Sequence, residues 1–180
     1  MRLETQRLVL RRFVPADLPA FVAYRSDPEI ARYQGWDTGY SMADAKRFLK
    51  TLDDANFGEP DCWLQLAIVD RGSDALKGDC AMRFLSDQPA TVEIGITIAG
   101  AHARQGIAGE ALSALLDALF RDYGVHRVVA NADDRNAAVQ RLLQRLGFRC
   151  EARFVEADWF KDAWTTLLVY ATLEHEWLKA

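Results

Sequence analysis

The sequence predicts a mixed α/β fold, a sheet with helices on both of its faces. Two observations carry this. Short runs of alternating or β-branched residues are interleaved with two longer stretches whose apolar residues recur every three or four positions. No repeat, low-complexity tract or Pro/Gly/Ser-rich linker breaks the 180 residues, so residues 1–180 read as one domain.

Taken in order, Leu8 to Phe13 has the texture of a first strand, and Leu18 to Tyr24 reads as a short helix with Asp17 as its N-cap. Ser41 stands before a second helix over Ala43 to Leu52. The polar-aromatic stretch Arg32 to Asp37 between them has no period. Cys62 to Asp70 and Lys77 to Leu85 form a hairpin about the turn residues Arg71 to Asp74, and Thr91 to Ala99 adds a β-branched strand. Gly109 to Tyr123 carries a helical stripe of Ala111, Leu112, Leu115, Leu116, Leu119 and Phe120, stopped by Gly124. His126 to Ala130 is a short strand, and Ala137 to Leu146 a second striped helix closed by Gly147. Strands near Phe148 to Val155 and Trp164 to Tyr170 finish the chain.

Composition removes several function classes. With 22 basic and 26 acidic residues the net charge is -4, which gives no basic face for nucleic acid. Cys62, Cys80 and Cys150 are widely spaced, form no CxxC pair and have no histidine at zinc spacing, so they read as reduced thiols and no metal is expected. His102, His126 and His175 fit neither a triad nor a metal pattern. The opening residues lack a signal-peptide core and no apolar run is long enough to span a bilayer, so a cytoplasmic protein without membrane attachment is expected.

The chemistry sits where a strand meets a helix. Glu93 to Ile98 ends a strand, Ala99 to Ala103 turns, and Arg104-Gln105-Gly106-Ile107-Ala108-Gly109 opens a helix. Gly106 and Gly109 let the backbone approach a ligand, and the first free N–H groups of the helix favour an anion such as a diphosphate. Strand alternation puts Glu93, Gly95 and Thr97 on one face, opposite Ile94, Ile96 and Ile98. A carboxylate in so apolar a strand is either a buried partner of an arginine or a base.

The segment Ala103 to Ala108, followed by Gly109-Glu110-Ala111, resembles the acyl-CoA-binding motif of the GNAT superfamily. The block Asn131 to Asn136, the run Arg141 to Phe148 ending in Leu146-Gly147-Phe148, and the opening Glu4-Thr5-Gln6-Arg7-Leu8-Val9-Leu10-Arg11 are similar to its Rim-type branch of ribosomal-protein N-acetyltransferases. The resemblance spans nearly the whole chain. It implies a mostly antiparallel sheet of about seven strands, splayed between the fourth and fifth.

It also implies an acetyl-CoA-dependent N-acetyltransferase, with the thioester attacked directly by a primary amine. Ile96, Thr97 and Ile98 match main-chain positions that bind the pantetheine arm, Arg104, Gln105, Gly106, Ile107, Ala108 and Gly109 match the pyrophosphate cradle, and Asn136 matches a residue on the cofactor arm. Glu93, acting through water, and Asn131 at the cleft are the expected catalytic residues. Tyr33 and Trp36, with Trp159 and Phe160, fall in segments that border the acceptor cleft of relatives. The expected acceptor is a peptide N-terminus or a small molecule, and a homodimer is left open. The chain departs from the pattern at Ala103, at Val139 in place of a serine, and at Leu143 in place of a tyrosine acid. These departures keep two alternatives in view: a non-catalytic acyl-CoA-binding module, and an aminoglycoside or polyamine N-acetyltransferase.

Overall fold

The computed structural model describes residues 1–54 and 57–179. Its strands are β1 (Leu3–Glu4), β2 (Leu8–Arg11), β3 (Leu64–Asp70), β4 (Leu76–Phe84), β5 (Thr91–Ile98), β6 (Arg127–Asp133), β7 (Arg149–Phe160) and β8 (Ala163–Leu173). The helices are α1 (Leu18–Arg25), α2 (Pro28–Ala31), α3 (Met42–Asp54), α4 (Ile107–Asp117), α5 (Ala137–Arg145) and α6 (Glu174–Trp177). The strands form one eight-stranded sheet in the order β1-β2-β3-β4-β5-β6-β8-β7. The sequence led us to expect about seven; the two residues of β1 fold back on Val9 and Leu10 and add the eighth.

Both faces of the sheet are covered, which is why its central strands are apolar almost without alternation. Leu8, Leu10, Leu66, Ile68, Met82, Val92 and Ile94 join Leu112, Leu115, Leu142 and Leu143 of α4 and α5 in one core. The residues between them, Val9, Ala67 and Val69, join Phe21, Tyr24, Ala45 and Leu52 of α1 and α3 in the other.

The helix ends follow their capping residues. Ser41 Oγ accepts the Asp44 N–H at 3.2 Å while the Ser41 N–H donates to the Asp44 carboxylate at 2.8 Å, a reciprocal cap that starts α3. Asp17 does not cap α1 as expected. A tight turn over Pro15–Asp17 makes its backbone helical already, and its carboxylate accepts the Val14 N–H at 2.8 Å and pairs with Arg11. α4 begins two residues earlier than its stripe suggested, because Gly106, at φ +78°, is the residue that turns into it. A wider π-type turn, in which the Tyr123 N–H donates to Ala118 O at 3.1 Å, carries it on to Gly124.

One junction differs from all the others. β5 and β6 run parallel and are paired only at Thr91–Arg127, Val92–Val128 and Glu93–Val129. Beyond Glu93 the strands separate. β5 cannot follow β6, because it stays registered along its whole length to β4, from Val92–Phe84 to Ile98–Gly78. Gly78 makes that register feasible, since a Cβ there would collide with Thr97 O and the Ile98 Cα. β6 is held on its other side by β8 from Arg127–Leu173 to Asp133–Leu167. The sheet therefore opens in its middle.

Candidate functional site

The opening between β5 and β6 is a gap through the sheet of about 150 Å³, lined by residues from both faces. On the α4/α5 face its wall is apolar, made by Leu112, Val139 and Leu143 together with Ile94 and Ile96. On the opposite face Tyr33, Gln34, Gly95, Asn131 and Asp133 line it, so this mouth is polar. Between the mouths, alternate backbone N–H and C=O groups of the β5 edge after Glu93 face no strand partner. Two ligands entering from opposite faces would meet there.

Glu93 lies just behind the polar mouth, on the same face as Asn131. The Asn131 Nδ2 donates to Glu93 Oε1 at 2.9 Å, and Arg83 holds Oε2 through Nε at 2.8 Å and Nη2 at 2.6 Å. Cross-strand register dictates this pairing, since Arg83 stands directly opposite Glu93. The guanidinium also lies 5.0 Å from the Trp63 ring. Asp133 is fastened to Arg135 through both oxygens, and its carboxyl is held below the usual range by those bonds. Tyr33 Oη donates to Arg135 O at 3.3 Å, which ties the segment after α2 to the loop between β6 and α5.

The chain leaving β5 reaches the α4 N-terminus through residues 99–106, and α4 itself borders the gap at Leu112. Arg104 has φ +60°, a left-handed conformation that costs a non-glycine residue roughly 1 kcal/mol, and Gly106 at φ +78° follows. The first helical bond reaching back to this turn is Glu110 N–H to Gly106 O at 3.1 Å; the amides ahead of it have no intrahelical acceptor. Residues 103–106 are exposed. The turn is braced from outside: Thr5 Oγ1 and the Arg7 N–H donate to Glu110 Oε1 at 2.6 and 3.0 Å, Arg7 Nε to Oε2 at 2.6 Å, and Arg7 Nη1 to Gln105 O at 3.1 Å. Burial would raise the Glu110 carboxyl, but these bonds outweigh it and hold it below the usual range.

Of the residues singled out from sequence, Tyr33, Ile96, Asn131 and Asn136 line the gap; Arg104, Gln105 and Gly106 are exposed and lead into Ile107, Ala108 and Gly109 at the start of α4, where Ile107 is buried. Asn136 also caps α5, its Oδ1 accepting the Val139 N–H at 3.2 Å. Thr97 is buried on the far face of β5, and Ile98 packs toward the α4 core. Trp36 does not line the gap. Its ring covers the buried Arg25 guanidinium at 3.8 Å and its Nε1 donates to Arg25 O at 3.1 Å, so it fixes the base of the segment that carries Tyr33. Gln34, Gly95 and Asp133 were not anticipated. Gly95 had a signal, a glycine inside a β-branched strand, and an added Cβ there would meet nothing within 4 Å. Gln34 sits in an aperiodic stretch and had none.

Under the polar mouth lies a second, sealed polar group. Asp79 is buried and accepts from Tyr24 Oη and Gln65 Nε2; burial pushes its carboxyl up against the opposing pull of Arg25. Burial, then the Asp79 charge, also pushes the Tyr24 phenol up. Among the described residues no group of three or more His, Cys, Asp or Glu is placed to hold a metal ion, and no helix is long and apolar enough to cross a membrane.

A family model described as an acetyltransferase (GNAT) domain matches residues 7–149. The chain is 28% identical over 178 residues to the uncharacterized N-acetyltransferase YnaD of Bacillus subtilis (strain 168), covering 98% of this chain and 99% of that one. A GNAT-family acetyltransferase structure from Bacillus anthracis superposes with a TM-score of 0.87 at 24% identity, covering 98% and 100% of the two chains. A spermidine N-acetyltransferase from Vibrio cholerae, solved with CoA and spermine, superposes with a TM-score of 0.81 at 19% identity, covering 97% and 99%.

Proposed function

Because the chain belongs to the GNAT family of acetyltransferases, we propose that it moves the acetyl group of acetyl-CoA onto a single primary amine entering by the polar mouth. The observation that carries this reading is the gap itself, open on two faces of different chemistry and lined midway by unpaired strand backbone. The residues present fit the cofactor. The amides at the start of α4, which lack intrahelical acceptors, suit a pyrophosphate, and Val139, Leu143, Leu112 and Ile96 suit an apolar arm. Acetyl-CoA supplies an acyl thioester.

The chain's own groups do the rest. Backbone N–H groups on the open β5 edge are the donors available to a developing oxyanion. Glu93 takes the amine's proton through water, with Asn131 and Arg83 fixing where its oxygens point. Val139 and Leu143 offer no proton, so the leaving thiolate would be protonated from solvent or, through water, by the proton that Glu93 took from the amine.

The charge at the mouth favours an acceptor with one amine. Glu93, Asp133 and Asp134 are each paired with an arginine, Arg83, Arg135 and Arg153, which lessens the pull of these three carboxylates on a polycation. At pH 7 a free α-amine costs about 1 kcal/mol to deprotonate, against about 4.6 kcal/mol for a lysine. A lightly equipped site of this kind suits the first. Peptide N-termini of the Rim-type acceptor class are our reading, supported by the brace of Thr5 and Arg7 on Glu110, which ties the opening motif that resembles that branch to the superfamily's acyl-CoA motif. Thiol release from acetyl-CoA, measured against peptides, polyamines and aminoglycosides at matched concentrations, tests it. Peptide α-amines should give the highest kcat/KM; a polyamine ahead of them overturns the acceptor class, and coenzyme A binding without release to any amine overturns transfer.

A further inference from the structure

The segment that brings Tyr33 and Gln34 to the polar mouth is not held by its own secondary structure alone. From the far side of the sheet the β7–β8 hairpin reaches it. Lys161, at the hairpin tip, donates from Nζ to Ala31 O at 2.7 Å and to Trp36 O at 2.8 Å. These two carbonyls bracket the four residues from Arg32 to Gly35. Asp37 lies 3.6 Å away but is 94% exposed, so its ion pair is weak beside the two carbonyl bonds. The hairpin turn is strained to present this ammonium. Lys161 and Asp162 are its two central residues, at φ +50° and +61°, where such turns ordinarily use Asn and Gly.

We infer that Lys161 is a positioning residue for the acceptor amine: it latches the Tyr33–Gln34 segment across the mouth and so sets how the acceptor is seated. The inference rests on the transferase reading for its kinetic consequence, but its structural half stands without it. With the carbonyl bonds and the Tyr33 bond to Arg135 O, three separate parts of the chain close a frame around the polar mouth. The apolar mouth, between α4 and α5, takes no part in that frame.

The test separates the latch from the turn. Lys161→Gly removes the ammonium while suiting the left-handed turn better, so it keeps the hairpin; Lys161→Met keeps the apolar stem. Both should raise the acceptor KM about tenfold, the worth of one charge-assisted bond, with the KM for acetyl-CoA unchanged. Asp162→Gly, which eases the turn and leaves Nζ in place, should leave both constants unchanged. Hydrogen exchange gives a readout that needs no substrate. The Arg32 and Gln34 amides, bonded to Pro28 O and Ala31 O at 3.0 Å, should lose protection in Lys161→Gly and not in Asp162→Gly. Unchanged exchange in Lys161→Gly overturns the latch whatever the activity. Faster exchange with an unchanged acceptor KM, or an equal rise in both KM values, overturns the positioning role. If no amine is acetylated at all, the transferase reading fails and the exchange result still decides the latch.

Discussion

At the scale of single residues, Glu93, the base in our proposal, is a carboxylate steadied by its partners. Its Oε2 is taken twice by Arg83 and its Oε1 once by Asn131, which leaves Oε1 with one lone-pair direction for a water on the way to the amine. Glu93→Gln keeps the shape but neither accepts a proton nor balances Arg83. It should lower kcat by roughly a hundredfold, the usual scale for one acid–base group, while calorimetry finds acetyl-CoA affinity intact. An unchanged kcat would remove Glu93 from proton transfer and leave it as the partner of Arg83. Both readings of this carboxylate were open from sequence, since alternation told its face but not what stood opposite. The register supplies that answer, and register is a long-range property that one strand's residues do not encode.

At the scale of elements, the four longer helices and most strands were legible because their signals are local, whereas the single turn of α2 was not. The stripes of α4 and α5 have the 3.6 period, and each striped stretch ends at a left-handed glycine, Gly124 at φ +63° and Gly147 at φ +80°. What escaped was set by distant contacts: the pairing of β1, the extension of β7 to Phe160, and the approach of Lys161 to α2. The Arg104–Gly109 turn was legible as glycines at a helix start, yet its brace by Thr5 and Arg7 joins residues about a hundred positions apart. The turn also makes a prediction. Gly106→Val puts a β-branched residue at φ +78°, and its Cβ would stand 3.4 Å from Arg7 Nη2, so turn and brace are both disturbed. The coenzyme A dissociation constant, measured by calorimetry, should rise about tenfold or more. Unaltered binding would mean the pyrophosphate is held elsewhere.

Across the whole molecule, the C-terminal strands are fastened to β6 by charge as well as by hydrogen bonds. Arg127 pairs with Glu151, Glu151 with Arg149 and Arg149 with Glu176. Bonds from Arg127, then from Arg149, hold the Glu151 carboxyl down at about 2. A carboxyl lowered in the folded state contributes stability above its unfolded pKa of about 4.3, and that contribution fades as pH falls toward 2. The pairs are partly open to water, so the contribution is about 1 kcal/mol or less. Thermal midpoints of the native protein and Glu151→Gln should therefore differ at neutral pH and converge on acidification. A difference that persists undiminished at pH 2.5 would mean the network is not its source.

The short parallel seam has a consequence for how ligand and protein depend on each other. A sheet joined in the middle by three residue pairs is two half-sheets sharing a hinge line, and the backbone groups beyond it lack partners. An amide-bearing chain laid in the gap would act as an absent ninth strand, supplying the bonds that β6 withholds from β5. Occupancy then knits the halves together, so the ligand's binding free energy is also cohesion of the fold. Under the proposed function the bound reactant would serve, for the length of one turnover, as part of the scaffold.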